Sequence, residues 1–148
     1  MTYQSITHGT KGIMYFLYLR QPTLSTAHTH VNTPFTPEFW NTMKSVGREL
    51  KTLYLALIAE TSHRLKIGSD HISCLLKHTD NQTWLIAVNE QNEPSEVTFR
   101  LARSITKLDI MFEDRSVIFD SNLFTDKFAG YDVHIYHLVL NQGNDDSY

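Results

Sequence analysis

Four carboxylates crowd one short stretch of this 148-residue chain: Asp109, Glu113, Asp114 and Asp120. Paired carboxyl groups can run hydrolytic acid/base chemistry when one of them is buried enough to keep its proton near neutral pH. Here Arg115 interrupts the group, and the residues around it read as hairpin turns. Turn solvation and a local ion pair account for them, so no catalytic residue is assigned. The eight histidines raise a second possibility, metal binding. His28 and His30 stand two apart, whereas His134 and His137 fall on opposite faces of an extended segment. Zinc needs three or four ligands, and nothing at a suitable spacing stands beside either pair, so no metal is expected. Cys74 is the single cysteine and lies in the alternating run Ile72 to Leu76. It reads as a small buried hydrophobe, since a reactive thiol needs an electropositive and partly open setting. No G-x-S-x-G, P-loop or G-x-G-x-x-G phrase occurs, and no cofactor is expected.

The elements that would hold such side chains follow from periodicity. Gly9 and Gly12 bracket Lys11, the punctuation expected where a helix stops and the backbone needs positive φ or close packing. From Ile13 the run Ile-Met-Tyr-Phe-Leu-Tyr-Leu is apolar on both parities, as in a strand covered on both faces. Residues 20–35, rich in Pro, Thr and Ser, read as a long loop. Thr36 can cap a helix, Pro37 suits its first position, and Glu38 complements its dipole. Phe39, Met43, Val46, Leu50, Leu53 and Leu57 then form one apolar stripe, widened by Trp40 and Tyr54 and assigned to the core. Lys44, Arg48, Glu49 and Lys51 make the solvated face.

After residue 62 the period becomes two. Ile72, Cys74 and Leu76; Trp84, Ile86 and Val88; Val97, Phe99 and Leu101; Leu108, Ile110 and Phe112; Val117 and Phe119; and Val133 and Ile135 alternate with more polar neighbours. Turn residues stand between the runs. The expected fold class is α+β, mostly β: an N-terminal strand and long amphipathic helix, then an antiparallel β-sandwich of six to eight strands. The expected divisions are 1–60 for strand, loop and helix, 61–141 for the sandwich, and 142–148 for a polar tail.

A net charge of −3 and a pI near 6.2 supply no basic field, so neither nucleic acid nor a membrane surface is expected as a partner. No apolar window is long enough to span a bilayer. The opening Met-Thr-Tyr-Gln-Ser lacks the marks of a secretory signal, which makes cytoplasmic residence the default expectation.

The wording of three segments adds to this. TYQSITHGTKGIMYF resembles the phrase that leads into the eighth strand of the (β/α)8 barrel in retaining glycoside hydrolases. WNTMKSVGREL is similar to their eighth helix. TWLIAVNEQNEPSEVTFRL and MFEDRSVIFDSNLFTDKFAGYDVHIYHL resemble their small C-terminal sandwich, the second with an acidic pair near an arginine and a Phe-Thr-Asp-X-Phe turn. The resemblance runs from Tyr3 to Leu140 and implies a fragment that completes a barrel and carries an accessory sandwich. Retaining enzymes need two carboxyl groups about 5–5.5 Å apart. This family places them after the fourth and seventh strands, outside the matched segment, so no catalytic residue carries over. The resemblance makes Tyr18, Arg20, His28 and His30 candidates for lining a sugar cleft after the last barrel strand.

Two function classes follow: the non-catalytic C-terminal part of a glycoside-hydrolase-like protein, or a stand-alone carbohydrate-binding or protein-interaction module. In the second, Tyr131, Tyr136 or Phe128 would supply the stacking platform, with Trp84 buried. A lone barrel strand leaves an unpaired edge. The expected partner is therefore a homo-oligomer or a second chain supplying the rest of the barrel, with carbohydrate as a further ligand class.

Overall fold

In a computed structural model of the chain, residues 1–10, 12–14, 37–59, 62–65, 67, 69–79 and 82–141 are described. The fold is α+β and mostly β, with antiparallel sheets. Among the described residues three helices come first: α1 (Thr2–Thr7), α2 (Pro37–Thr52) and α3 (Tyr54–Ile58). Eight strands follow among the described residues: β1 (Ser62–Arg64), β2 (Ile72–Thr79), β3 (Gln82–Asn89), β4 (Ser95–Arg100), β5 (Ile105–Ile110), β6 (Phe119–Asp120), β7 (Leu123–Phe128) and β8 (Val133–Leu140). They form a five-stranded sheet in the order β1-β2-β3-β8-β5 and a three-stranded sheet in the order β4-β7-β6.

Two cores lie on the two faces of the larger sheet. Between the sheets, Ile72, Cys74, Leu85, Phe99, Phe124 and Tyr136 are among the residues of the main core. Phe99 stacks on Phe124 with centroids 4.8 Å apart and meets Tyr136 at 5.7 Å. Such aromatic pairs add to the area they bury. On the opposite face, Trp84, Ile86, Val88 and Ile135 meet Tyr3, Ile6, Leu53 and Ala56 of the helices. The sheet is therefore the middle layer of three.

That layering changes the expected inward set. Trp84, Ile86 and Val88 point to the helices, and Leu85 and Ala87 fill the sandwich. β3 is central and covered on both sides, so Thr83 to Asn89 are all buried and strict alternation is lost. The helices of residues 1–60 and the strands after residue 61 thus share one of the two cores.

At the N-terminus, α1 stops where the glycine punctuation placed a stop, and Gly9 adopts φ +94°. Its N–H donates to the Ile6 carbonyl at 2.9 Å. The expected strand from Ile13 falls mostly outside the described residues, and residues 12–14 are not in a strand. α1 is tied down by side chains: the Tyr3 hydroxyl donates to Glu49 Oε2 at 2.7 Å, and Thr7 Oγ1 shares a 2.7 Å hydrogen bond with Ser73 Oγ.

α2 begins at Pro37 as the sequence indicates, yet none of its residues is fully buried. The expected stripe is graded: Phe39 is 40% exposed, Met43, Val46 and Leu50 are half-buried, and Leu53 is 2% exposed. The large sheet underlies only the far end of the helical pair, where Leu53 and Ala56 reach Leu75 and Ile86. There Lys77 turns its buried ammonium to the end of α3, donating to Ala59 O at 2.8 Å and Leu57 O at 3.4 Å. A cation at those unpaired carbonyls complements the helix dipole. Tyr54, Leu55 and Ile58 stay exposed.

Candidate functional site

The segment after β5 builds the most polar corner of the molecule. Met111 N–H still donates to Ile135 O of β8 at 2.7 Å, which holds the chain against the sheet for one more residue. Phe112 then takes φ +65°, a left-handed conformation uncommon for a bulky side chain, and the chain turns away. The turn delivers Glu113 and Arg115 beside β7 and β8.

Arg115 is the hub. Its two terminal nitrogens donate to the two oxygens of Asp126 at 2.8 and 2.9 Å, and its Nε donates to Glu113 Oε2 at 2.6 Å. This planar fork matches carboxylate geometry and gives the arrangement direction as well as strength. Asp126 is 6% exposed and also accepts from the Tyr136 hydroxyl at 2.7 Å and the Lys127 N–H at 2.8 Å. Burial alone pushes the Asp126 carboxyl up; the hydrogen bonds from Arg115, Tyr136 and the Lys127 amide outweigh it and hold the group below its ordinary range. Burial, reinforced by Asp126, pushes the Tyr136 phenol well up. Glu113 Oε1 lies 2.7 Å from His134 Nδ1, and His134 Nε2 lies 3.1 Å from Lys127 O.

A cleft of about 490 Å³ opens over this network, lined by Tyr3, Glu49, Phe112, Glu113, Lys127 and His134 among others. Its walls come from α1, α2, the loop after β5, β7 and β8, so residues far apart in sequence meet there. The arrangement can hold and orient a ligand. It is badly suited to acid/base hydrolysis, because Glu113 and Asp126 are both bound to one guanidinium, and Asp126 is shifted toward permanent ionisation.

The remaining candidates are scattered. Tyr18, Arg20, His28 and His30 lie outside the described residues. His134 and His137 occupy opposite faces of β8: the first reaches Glu113, and the second packs on Trp84 with ring centroids 5.5 Å apart. Asp109 pairs with Lys107. Among the described residues no three His, Cys, Asp or Glu side chains gather as a metal site. Cys74 is buried, and its burial pushes the thiol up to about 12.

Three expectations need correction. The Phe-Thr-Asp-X-Phe phrase is not a turn but strand β7, with Asp126 pointing inward. Of the three proposed stacking aromatics, Tyr136 and Phe128 are 0% and 1% exposed, so they cannot form a platform; Tyr131 alone is open. Phe112, expected to face the core, is 47% exposed because its left-handed turn throws the ring outward.

No protein-family model matches the sequence, and no curated protein matches it. Solved structures do. An Anoxybacillus alpha-amylase superposes with a TM-score of 0.54 at 17% identity, over 76% of this chain and 25% of that one. The alpha-amylase from H. orenii superposes with a TM-score of 0.51 at 11% identity, over 66% of this chain and 20% of that one. At those identities the likeness is one of fold. The chain spans a quarter or less of the length of these amylases. No helix among the described residues is long and apolar enough to cross a membrane.

Proposed function

We propose that this chain is the non-catalytic C-terminal part of a glycoside-hydrolase-like protein, in which the sandwich is an accessory domain packed on the last barrel helix. The observation that carries this reading is the superposition of three quarters of the chain on one quarter of an alpha-amylase. The sequence resemblance, from barrel joint to long helix to sandwich, points the same way. In this reading the nucleophile and acid/base stand on barrel strands outside the matched segment. The chemistry of the polar corner supports it, since Glu113 and Asp126 are both tied to the single guanidinium of Arg115 and are not poised as a reactive pair.

The helical layer indicates what the sandwich packs beside. Tyr54, Leu55 and Ile58 are 59%, 65% and 56% exposed on α3. Clustered apolar surface of this kind marks a contact face. We assign it to contact with the rest of a barrel. The stand-alone binding module is less well supported, because two of its three aromatic candidates are buried.

Sedimentation velocity on the purified chain at micromolar concentration tests the proposal, alongside an assay with aryl glycosides. The expected outcome is association without turnover. A compact, non-associating monomer would remove the barrel contact, and hydrolysis by the chain alone would remove its non-catalytic role.

A further inference from the structure

We propose that the free edge of β4 pairs with the β4 edge of a second copy of this chain, antiparallel about a two-fold axis through Thr98. The inference uses no residue of the α3 face and goes beyond the barrel reading.

Among the described residues the two sheets leave four edges, β1 and β5 on the larger and β4 and β6 on the smaller. An open edge invites pairing, and proteins blunt it by shortness, by bulges or by lysine side chains. β1 has three residues and β6 has two. β5 carries a register shift between Ile105 and Lys107, and Lys107 is paired with Asp109 there. β4 runs in unbroken register with β7 over the six residues Ser95–Arg100 and has none of these devices within its length.

The ladder decides which backbone groups are free. Leu101 N–H donates to Asn122 O at 2.9 Å, one step beyond the Arg100 and Leu123 pair. Bonded and non-bonded pairs alternate along an antiparallel ladder, so Phe99 and Val97 also turn their N–H and C=O toward β7. Glu96, Thr98 and Arg100 turn theirs away. Lys127 agrees with this parity: opposite Glu96, it spends its N–H on Asp126 Oδ1 and turns its carbonyl to His134 Nε2. Among the described residues no hydrogen bond reaches the outward groups of Glu96, Thr98 and Arg100. Pro94, the next outward position, has no N–H, so the free strip ends there.

The side chains make that strip self-complementary. Glu96, Thr98 and Arg100 are exposed on the outer face, while Val97 and Phe99 enter the core. Pairing centred on Thr98 sets Glu96 of each copy opposite Arg100 of the other and uses every free donor in the strip. Opposite charges facing across a ladder stabilise it, and like charges destabilise it. Neither residue has an ion pair within its own chain among the described residues. Sliding by one step either way puts Thr98 opposite Glu96 or opposite Arg100, and both charge pairs are lost. The pairing occupies the β4 edge of both copies, so it closes at a dimer. One short strand from each copy makes a contact of the small, transient class, below about 1,200 Å².

Amide exchange read by NMR at about 50 μM and about 1 mM tests the pairing in the range where a contact of that size forms. Exchange at the Glu96, Thr98 and Arg100 amides is expected to slow several-fold at the higher concentration, while Val97 and Phe99, already bonded to β7, stay unchanged. Glu96→Arg and Arg100→Glu each set like charges across the joint and should abolish the slowing. Mixed in equal amounts, the two variants restore unlike pairs and should regain it, which also shows that neither has simply lost its fold. Exchange independent of concentration in the parent, slowing that persists in both single variants, or a mixture that behaves as its parts would each overturn the proposal. Association that leaves these three amides unprotected and survives both variants belongs to the α3 face; it would overturn the edge pairing and leave the barrel reading standing.

Discussion

Asp126→Ala is expected to lower the unfolding free energy by about 3–4 kcal/mol at neutral pH. The substitution leaves two groups stranded. The Tyr136 hydroxyl, on a side chain with no exposed surface, loses its acceptor inside the main core, and an unpaired buried hydroxyl costs about 1–3 kcal/mol. Arg115 loses both hydrogen bonds of its fork. Its side chain is 35% exposed, so water can rehydrate part of the guanidinium, which places the loss at the lower end of the range for broken buried pairs.

The same carboxylate ties stability to pH, and the sign is fixed by the direction of its shift. In the folded state Asp126 sits below its ordinary value of about 3.8, so the native protein holds the ionised form more tightly than the unfolded chain does. Its contribution is complete above roughly pH 4 and is lost as pH falls through the lowered folded value. Urea unfolding at pH 7 and again near pH 3 should therefore show the gap between parent and Asp126→Asn narrowing in acid. A gap that stays constant, or a loss below about 1 kcal/mol for Asp126→Ala, would mean that the Arg115 fork is not seated as described.

How much of this corner the sequence reveals depends on the distance over which partners act. Pro37 and Glu38 announce their helix because the dipole and the missing N–H act within one turn, and α2 begins there. Cys74 is legible as a core residue because its apolar neighbours are two positions away. The Arg115 network is not, since Asp126 lies eleven residues on and reaches Arg115 only after β7 pairs with β4. An inward aspartate also breaks the alternation by which a strand is recognised, so residues 124–128 resemble a turn. The cleft is more remote still, with Tyr3 and Glu49 meeting across 46 residues. Layering is hidden for a related reason: β3 is apolar on both parities, and only the presence of α1 and α3 on one face tells which set faces which core.

Gly130→Ala is expected to destabilise the fold by about 3–5 kcal/mol, among the largest effects available from a single methyl group. The turn after β7 presses its backbone against the turn after β3. A Cβ on Gly130 would overlap the carbonyl oxygen of Asn92 and stand 2.7 Å from its Cα, and neither backbone can withdraw cheaply. Asn89 rivets the two turns together. At 1% exposure, its Nδ2 donates to Glu93 O and to Ala129 O, each at 2.8 Å, and the Tyr131 N–H donates to Gln91 O at 2.8 Å. Moving the turns apart to admit a methyl group would break these bonds together, leaving buried amide groups unpaired. Gly47→Ala serves as the internal comparison. A Cβ there meets nothing within 4 Å on the exposed side of α2, so alanine should stabilise by about 0.5–1 kcal/mol through helix propensity alone. The same chemical change thus carries opposite signs at two glycines, and thermal melts of the two variants read both. Equal melting temperatures for Gly130→Ala and the parent would show that the two turns do not approach as closely as the structure places them.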